Sequence, residues 1–146
     1  MYNLSIFSER LRELMFDCNN MKSEALAKEI GTAGSTVRTW LNGTNEISLE
    51  NAIKVADFFQ CSLDYLAGRT ETDQTIIPHP LPPFYANLRF VMQQTGKTRY
   101  QITRETAIKD AFFTNWGKGQ MPMLSSVCEL ADYMQVTLDY LIGREN

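Results

Sequence analysis

The chain has 146 residues, of which 44% are hydrophobic, and its net charge at pH 7 is −3. The composition excludes wholesale disorder, and no apolar run approaches the ~18 residues that a membrane-spanning helix needs. A negative net charge argues against a general attraction to nucleic acid, so any such binding has to come from particular segments. The first thirteen residues lack the basic start and apolar run of a signal peptide.

The first 69 residues predict five helices. Apolar residues recur at helical spacing over residues 4–18, 23–30, 34–41 and 49–59, and a last short helix lies between Ser62 and Gly68. Gly31 supplies the left-handed residue that ends the second helix. Ser48 and Ser62 are good N-caps for the fourth and fifth helices.

Residues 70–83 are polar and then rich in proline, with Pro78, Pro80, Pro82 and Pro83 close together. Such a segment cannot be helical, and we expect an extended tether. The only histidine, His79, lies among these prolines, where an inert, exposed side chain is the expectation.

Residues 84–146 repeat the plan of the first 69. Ser-Leu-Asp-Tyr-Leu-Ala-Gly-Arg at 62–69 is matched by Thr-Leu-Asp-Tyr-Leu-Ile-Gly-Arg at 137–144, and each copy has a Trp-x-x-Gly upstream. A period of about 75 residues fits a small domain and not a solenoid unit. The fold class is therefore predicted as all-α, with one five-helix domain at 1–69, a proline-rich linker at 70–83 and a divergent second domain at 84–146. In the second copy the first helix is expected to carry Phe84, Leu88 and Val91, and the others are expected near residues 99–106, 110–117, 123–135 and 138–142.

The second and third helices predict a helix-turn-helix, two short helices joined by a tight glycine turn. Ala27 is small where the next helix crosses, and Val37 and Trp40 are apolar where that helix must lock onto the domain. This arrangement leaves one face of the third helix free to enter a major groove about 12 Å wide. The residues expected on that face are Ala33, Gly34, Ser35, Arg38 and Thr39. Glu24 and Lys28 lie four residues apart and predict a helix-stabilising pair.

The stretch from Lys22 to Gly43, with the segment that follows it to Arg69, resembles the Cro/cI-type (lambda-repressor-like, XRE) helix-turn-helix family. That family consists of bacterial and phage DNA-binding transcriptional regulators with a five-helix domain. The resemblance implies that the outward residues of the third helix face the bases. It also implies that Ser23 lies where the family contacts a phosphate, and that Lys22 and Asn42 are further backbone contacts.

The second copy resembles the family less closely. Thr103, Ala107 and Phe113 replace Ala27, Gly31 and Val37, and the first two are expected to strain the turn. Asp110 is expected to face outward, against DNA binding, while the segment is the more basic of the two and Asn115 is suited to adenine. The DNA-binding residues expected here are Arg99, Tyr100, Lys109, Ala111, Thr114, Asn115 and Lys118. Phe112 has two interpretations, a core aromatic, which is favoured, and an interface contact.

No catalytic residues, cofactor or metal site are predicted. The three cysteines include no Cys-x-x-Cys pair, and Cys61 and Cys128 align with apolar positions, so both are expected in the core of a protein from a reducing cytoplasm. With one histidine and no paired carboxylates, the chain is not expected to be an enzyme.

The sequence therefore predicts a sequence-specific regulator of transcription that binds double-stranded DNA, with no membrane association. One chain could serve two half-sites spaced about 34 Å apart. Alternatively, the second copy could form a homodimer, with each first copy on one half-site. The competing function is a protein-interaction module or an antagonist of another regulator.

Overall fold

A computed structural model describes residues 3–145, which contain ten helices and no strand, so the predicted all-α class is confirmed. We call α1–α5 the first helical set and α6–α10 the second; the predicted limits at residues 1 and 146 lie outside the described residues. The first set consists of α1 (Leu4–Asp17), α2 (Ser23–Ile30), α3 (Gly34–Asn42), α4 (Leu49–Phe59) and α5 (Leu63–Leu66). The second consists of α6 (Phe84–Thr95), α7 (Arg99–Glu105), α8 (Asp110–Gly117), α9 (Leu124–Met134) and α10 (Leu138–Ile142).

The helix ends follow the local chemistry of the sequence. Ser48 and Ser62 accept hydrogen bonds from backbone N–H groups of α4 and α5, as predicted, and Thr137 does the same for α10. Thr98 and Gln101 form a capping box at the start of α7. These bonds satisfy N–H groups that have no partner within the helix.

Each set encloses apolar side chains at matching positions. Phe7, Leu11 and Trp40 are buried in the first set, as Phe84, Leu88 and Trp116 are in the second. Cys61 and Cys128 are buried and unpaired, as predicted, and burial raises the pKa of each thiol to about 12. No helix in residues 3–145 has the length and apolar character to cross a membrane. Within the same part of the chain, no group of three or more His, Cys, Asp and Glu side chains could hold a metal ion.

The two sets pack against each other through equivalent elements. Ser48 and Met123, which precede α4 and α9, form an antiparallel bridge. Its hydrogen bonds run from Leu49 N to Pro122 O (2.9 Å) and from Leu124 N to Ile47 O (3.1 Å). Helices α5 and α10 also contact each other.

Residues 70–83 form no helix, as predicted, but they are held against the helices and do not hang free. Ile76 is buried, and its N–H donates to Gln60 O (3.2 Å). The carboxylate of Asp73 accepts from Ser62 N (3.3 Å). His79 is half-buried, with its Nε2 2.9 Å from Gly143 O, and this hydrogen bond raises the pKa of the imidazole. The prediction that His79 is exposed is therefore wrong, because this part of the proline-rich segment lies against the second set.

Candidate nucleic-acid interface

Helices α2 and α3 form the turn that the sequence predicts. Gly31 has φ +80°, and its N–H donates to Ala27 O at 2.8 Å, so the chain reverses within three residues. Ala27, Val37 and Trp40 are buried, which fixes α3 across α2. Ser8 adds a tie from α1, because its hydroxyl donates to the carbonyl of Trp40 (2.5 Å).

The opposite face of α3 is open to solvent. Ala33, Ser35, Arg38 and Asn42 are exposed, and Gly34 and Thr39 are partly exposed. The hydroxyl of Thr39 donates to Thr36 O (2.6 Å), which leaves its lone pairs available as acceptors. The face therefore presents a guanidinium, an amide and two hydroxyls on a helix that the core holds in place.

Arg38 is not isolated on this face, because its guanidinium forms an ion pair with the carboxylate of Glu24 on α2. The pKa of Glu24 is lowered, first by a hydrogen bond from its own backbone N–H and then by Arg38. The predicted pairing of Glu24 with Lys28 is therefore wrong. Lys28 lies one helical turn from Glu24, but α3 brings the guanidinium of Arg38, a forked donor, to the same carboxylate.

Polar side chains also surround the start of α2. Lys22 is exposed and Ser23 half-buried at the rim of a shallow depression of about 230 Å³, beside Arg12 and Asn20. Arg12 donates to the carbonyl of Leu41 near the end of α3 (2.7 Å). Arg12, on α1, and Asn20, in the turn that follows α1, are absent from the predicted residues, since no sequence pattern distinguishes either from an ordinary polar surface.

The second set makes its turn without a left-handed residue. Helix α7 ends at Glu105, and Thr106 continues in an extended conformation (φ −130°, ψ 175°). The N–H of Ala107 donates to the carboxylate of Glu129 on α9 (2.7 Å), and Ile108 N donates to the hydroxyl of Thr106 (3.0 Å). The expectation that Ala107 strains this turn is wrong, because Ala107 does not adopt the positive φ of Gly31. Thr103 lies within α7, where its hydroxyl donates to Tyr100 O (3.1 Å), and the strain expected there stays a prediction.

The outward face of α8 is also exposed, but its chemistry differs. Its solvent-exposed residues are Lys109, Asp110, Ala111, Thr114, Asn115 and Lys118. Arg99, at the start of α7, bonds to the carboxylate of Asp110 (2.7 Å) and to the hydroxyl of Thr114 (3.0 Å). The hydrogen bond with Asp110 raises the pKa of Arg99. The outward position predicted for Asp110 is thus observed, with the carboxylate partly neutralised.

The aromatic residues near α8 divide into buried and exposed. Phe113 is buried, and Phe112 packs beside Trp116 with ring centroids 6.0 Å apart, in line with the interpretation as a core aromatic. Tyr100 remains 65% exposed, and its hydroxyl accepts from Arg104 (2.6 Å). A flat ring and a guanidinium therefore lie together on the exposed surface of α7.

In each set, an ion pair joins the two helices of the turn, and the charges are reversed. In the first set the acid lies on α2 and the base on α3; in the second, the base lies on α7 and the acid on α8. Each pair orients its guanidinium, and each leaves the helix face with less net positive charge than its lysines and arginines suggest.

Comparison with known proteins supports this geometry for the first set. Residues 19–66, which span α2 to α5, match a family model described as Helix-turn-helix. The match supports the XRE-type resemblance and suggests a DNA-binding transcription regulator, a class that is typically non-enzymatic. It does not extend to the second set. No curated protein and no solved structure matches the chain.

Proposed function

We propose that this protein is a sequence-specific regulator of transcription that binds double-stranded DNA with α3 as its recognition helix. The observation that carries the proposal is the exposed polar face of α3, held across α2 by buried Val37 and Trp40. A helix supported in this way can enter a major groove with its side chains toward the base edges. The family match over residues 19–66 supports the same conclusion.

The residue types on α3 suggest a role for each position. Arg38 contacts guanine or a phosphate, while Ser35 and Thr39 make weaker contacts to base edges or phosphates. Ala33 and Gly34 have little or no side chain, which allows close approach of the helix to the duplex. The positions assigned to phosphate contacts are Lys22, Ser23 and Asn42.

The proposal extends to the second set as a divergent helix-turn-helix domain of residues 84–146, joined to residues 1–69 by the segment 70–83. Support comes from the order of its helices, from buried residues at equivalent positions and from the exposed face of α8. Asn115 is suited to an adenine and Tyr100 to a sugar or phosphate. The remaining DNA contacts proposed here are Arg99, Lys109, Ala111, Thr114 and Lys118.

Replacing Arg38 tests the function directly. The probe is the duplex recovered by selecting bound sequences from a random pool, with affinity measured at two salt concentrations. Arg38→Ala should weaken binding about 5- to 150-fold, as expected for loss of one bidentate base contact. Lys28→Ala is the matched control, because it removes one exposed positive charge from α2 without touching α3.

Two results would contradict the proposal. If Arg38→Ala and Lys28→Ala weaken binding equally, Arg38 contributes only its charge and does not contact a base. If no duplex is recovered, or if the affinity for DNA lacks the steep salt dependence of phosphate contacts, the result favours the alternative function, a protein-interaction module. The net charge of −3 and the pairing of Arg38 with Glu24 are the observations that favour that alternative.

A further inference from the structure

We infer that the two helical sets form a dimer within one chain, so that a single molecule binds one two-part, non-palindromic duplex site at a fixed spacing. The inference rests on the proposed function and specifies its ligand. The contacts between the two sets are reciprocal. Each residue in these contacts has an equivalent in the other set, 75 positions away in the sequence. When a residue of the first set contacts a residue of the second, their two equivalents make the same contact in the opposite direction, as in a two-fold symmetric dimer.

The centre of this interface is a pair of buried aspartates that cap each other's helices. The carboxylate of Asp64 accepts from Leu138 N (2.9 Å) and Asp139 N (3.2 Å), at the start of α10. The carboxylate of Asp139 accepts from Leu63 N (2.9 Å) and Asp64 N (3.3 Å), at the start of α5. Each carboxyl group thus accepts from the first N–H groups of the other set's helix, which have no partner within that helix. Neither helix start retains these partners if the sets separate.

Two arginines close the interface in the same reciprocal way. Arg69 bonds to Asp64 within its own set and to Asp132 across the interface (2.8 Å). Arg144 bonds to Asp139 within its own set (2.5 Å) and to Asp57 across the interface (3.0 Å).

These arginines also bond to backbone across the interface, Arg69 to Val136 O (3.2 Å) and Arg144 to Cys61 O (3.1 Å). The side chain of Arg144 is 1% exposed. Breaking one partner of such a buried pair leaves an uncompensated charge, which is strongly destabilising.

The same surfaces are therefore not available to a second chain. In a dimer of chains, α5 of one molecule would need the partner that α10 of the same molecule already supplies. The segment 70–83 adds to the intrachain arrangement, because Ile76 and His79 bind to the first and second sets respectively. The spacing of the two recognition helices follows from this packing, whereas a loose tether would leave it free.

The two faces that this dimer presents are not alike. The α3 face carries the guanidinium of Arg38, whereas the equivalent position of α8 is Thr114, which is followed by the amide of Asn115. Arginine selects guanine, whereas asparagine selects adenine. A palindrome would offer the same bases to both faces, so the preferred site has two different halves.

A series of spacings tests the inference on the unmodified protein. The probe is the selected duplex, with one or two base pairs inserted or deleted between its two halves. Each base pair moves a half-site by about 3.4 Å and rotates it by about 35°. If the sets are held together, a change of two base pairs should reduce affinity to that of one half-site, about 100-fold or more. Affinity that hardly changes along the series would overturn the inference, since a flexible tether tolerates such changes.

The mass of the complex and the recovered sequence provide independent outcomes. One chain per duplex and two unlike halves support the inference. Two chains per duplex, a palindromic site or a single half-site overturn it while leaving the proposed function intact. Failure to recover any duplex instead removes the proposed function, so the two failures are distinguishable.

A variant of the interface completes the test. Arg69→Ala removes the contacts to Asp132 and Val136 while leaving α3 and α8 unchanged, so it should make affinity less sensitive to spacing. Lys54→Ala, on the exposed side of α4, is the control and should retain the full sensitivity. Circular dichroism of both variants verifies that the helices remain. A folded Arg69→Ala protein with unchanged sensitivity would show that these contacts do not set the spacing.

Discussion

The turn between α2 and α3 and the turn between α7 and α8 connect similar helix pairs by different chemistry. The first relies on Gly31 in a left-handed conformation and on the small side chain of Ala27. The second has an extended Thr106 instead, and Glu129 reaches from α9 to hold the N–H of Ala107. A backbone reversal therefore does not require glycine when a side chain from another helix accepts the N–H that the turn leaves unpaired.

The helix that follows each turn is also locked differently. Val37 fills the position beneath α3, while Phe113 fills the equivalent position beneath α8 and lies 5.2 Å from the ring of Trp116 and 5.2 Å from the guanidinium of Arg99. The larger side chain connects the core of the second set to the arginine beside its outer face. The second set therefore differs from the first at the positions of Gly31 and Val37, and contacts from Glu129 and Arg99 compensate for these differences.

Truncating the two buried side chains that lock α3 and α8 should give the largest difference in stability between the two sets. Phe113→Ala should lower the free energy of unfolding by about 3–5 kcal/mol, because a buried ring leaves a cavity beside Trp116. Val37→Ala should cost about 2 kcal/mol, since fewer buried carbons are lost. Urea unfolding followed by circular dichroism measures both. Equal losses would mean that the cavity beside Trp116 collapses and that Phe113 is not the principal lock.

Substitutions at the turn residues themselves should lower the free energy of unfolding by less, and by different amounts in the two turns. Gly31→Ala forces a side chain into φ +80°, which costs about 1–2 kcal/mol, although no atom lies within 4 Å of the added carbon. Ala107→Gly should cost less than about 1 kcal/mol, through the greater freedom of the unfolded chain. A loss for Ala107→Gly as large as that for Gly31→Ala would show that the second turn depends on its alanine.

Much of the helical framework could be predicted from the sequence because its signals are local. Ser48 and Ser62 mark helix starts by side-chain caps within three residues, and Gly31 marks an end by its own conformation. The outward face of α3 follows from helical periodicity once Val37 and Trp40 are placed inside. The helix-turn-helix of the first set is local throughout, which explains why a single sequence indicates it.

The contacts between the sets could not be predicted, since they join distant residues whose types are common on surfaces. Asp64 and Asp139 were visible only as members of a repeat, and nothing in either copy indicates that each caps the other's helix. Helical spacing pairs Glu24 with Lys28, whereas the fold supplies Arg38. Residues 70–83 are predicted as an extended tether, because proline content predicts extension but not the docking of Ile76.

The acceptor that holds the second turn gives the sharpest comparison between the two sets. Glu129→Ala removes the 2.7 Å bond to Ala107 N and should cost about 1 kcal/mol, below the usual value for a charged acceptor because the side chain is partly exposed. Lys54 is the equivalent residue on α4 and forms only an exposed pair with Glu50 at 4.0 Å, so Lys54→Ala should cost no more than about 0.5 kcal/mol. Urea unfolding measures the losses, and hydrogen exchange at Ala107 should accelerate in Glu129→Ala alone. Unchanged exchange at Ala107 would mean that Thr106 and Ile108 hold the turn without Glu129, and that the extended conformation is intrinsic to this segment.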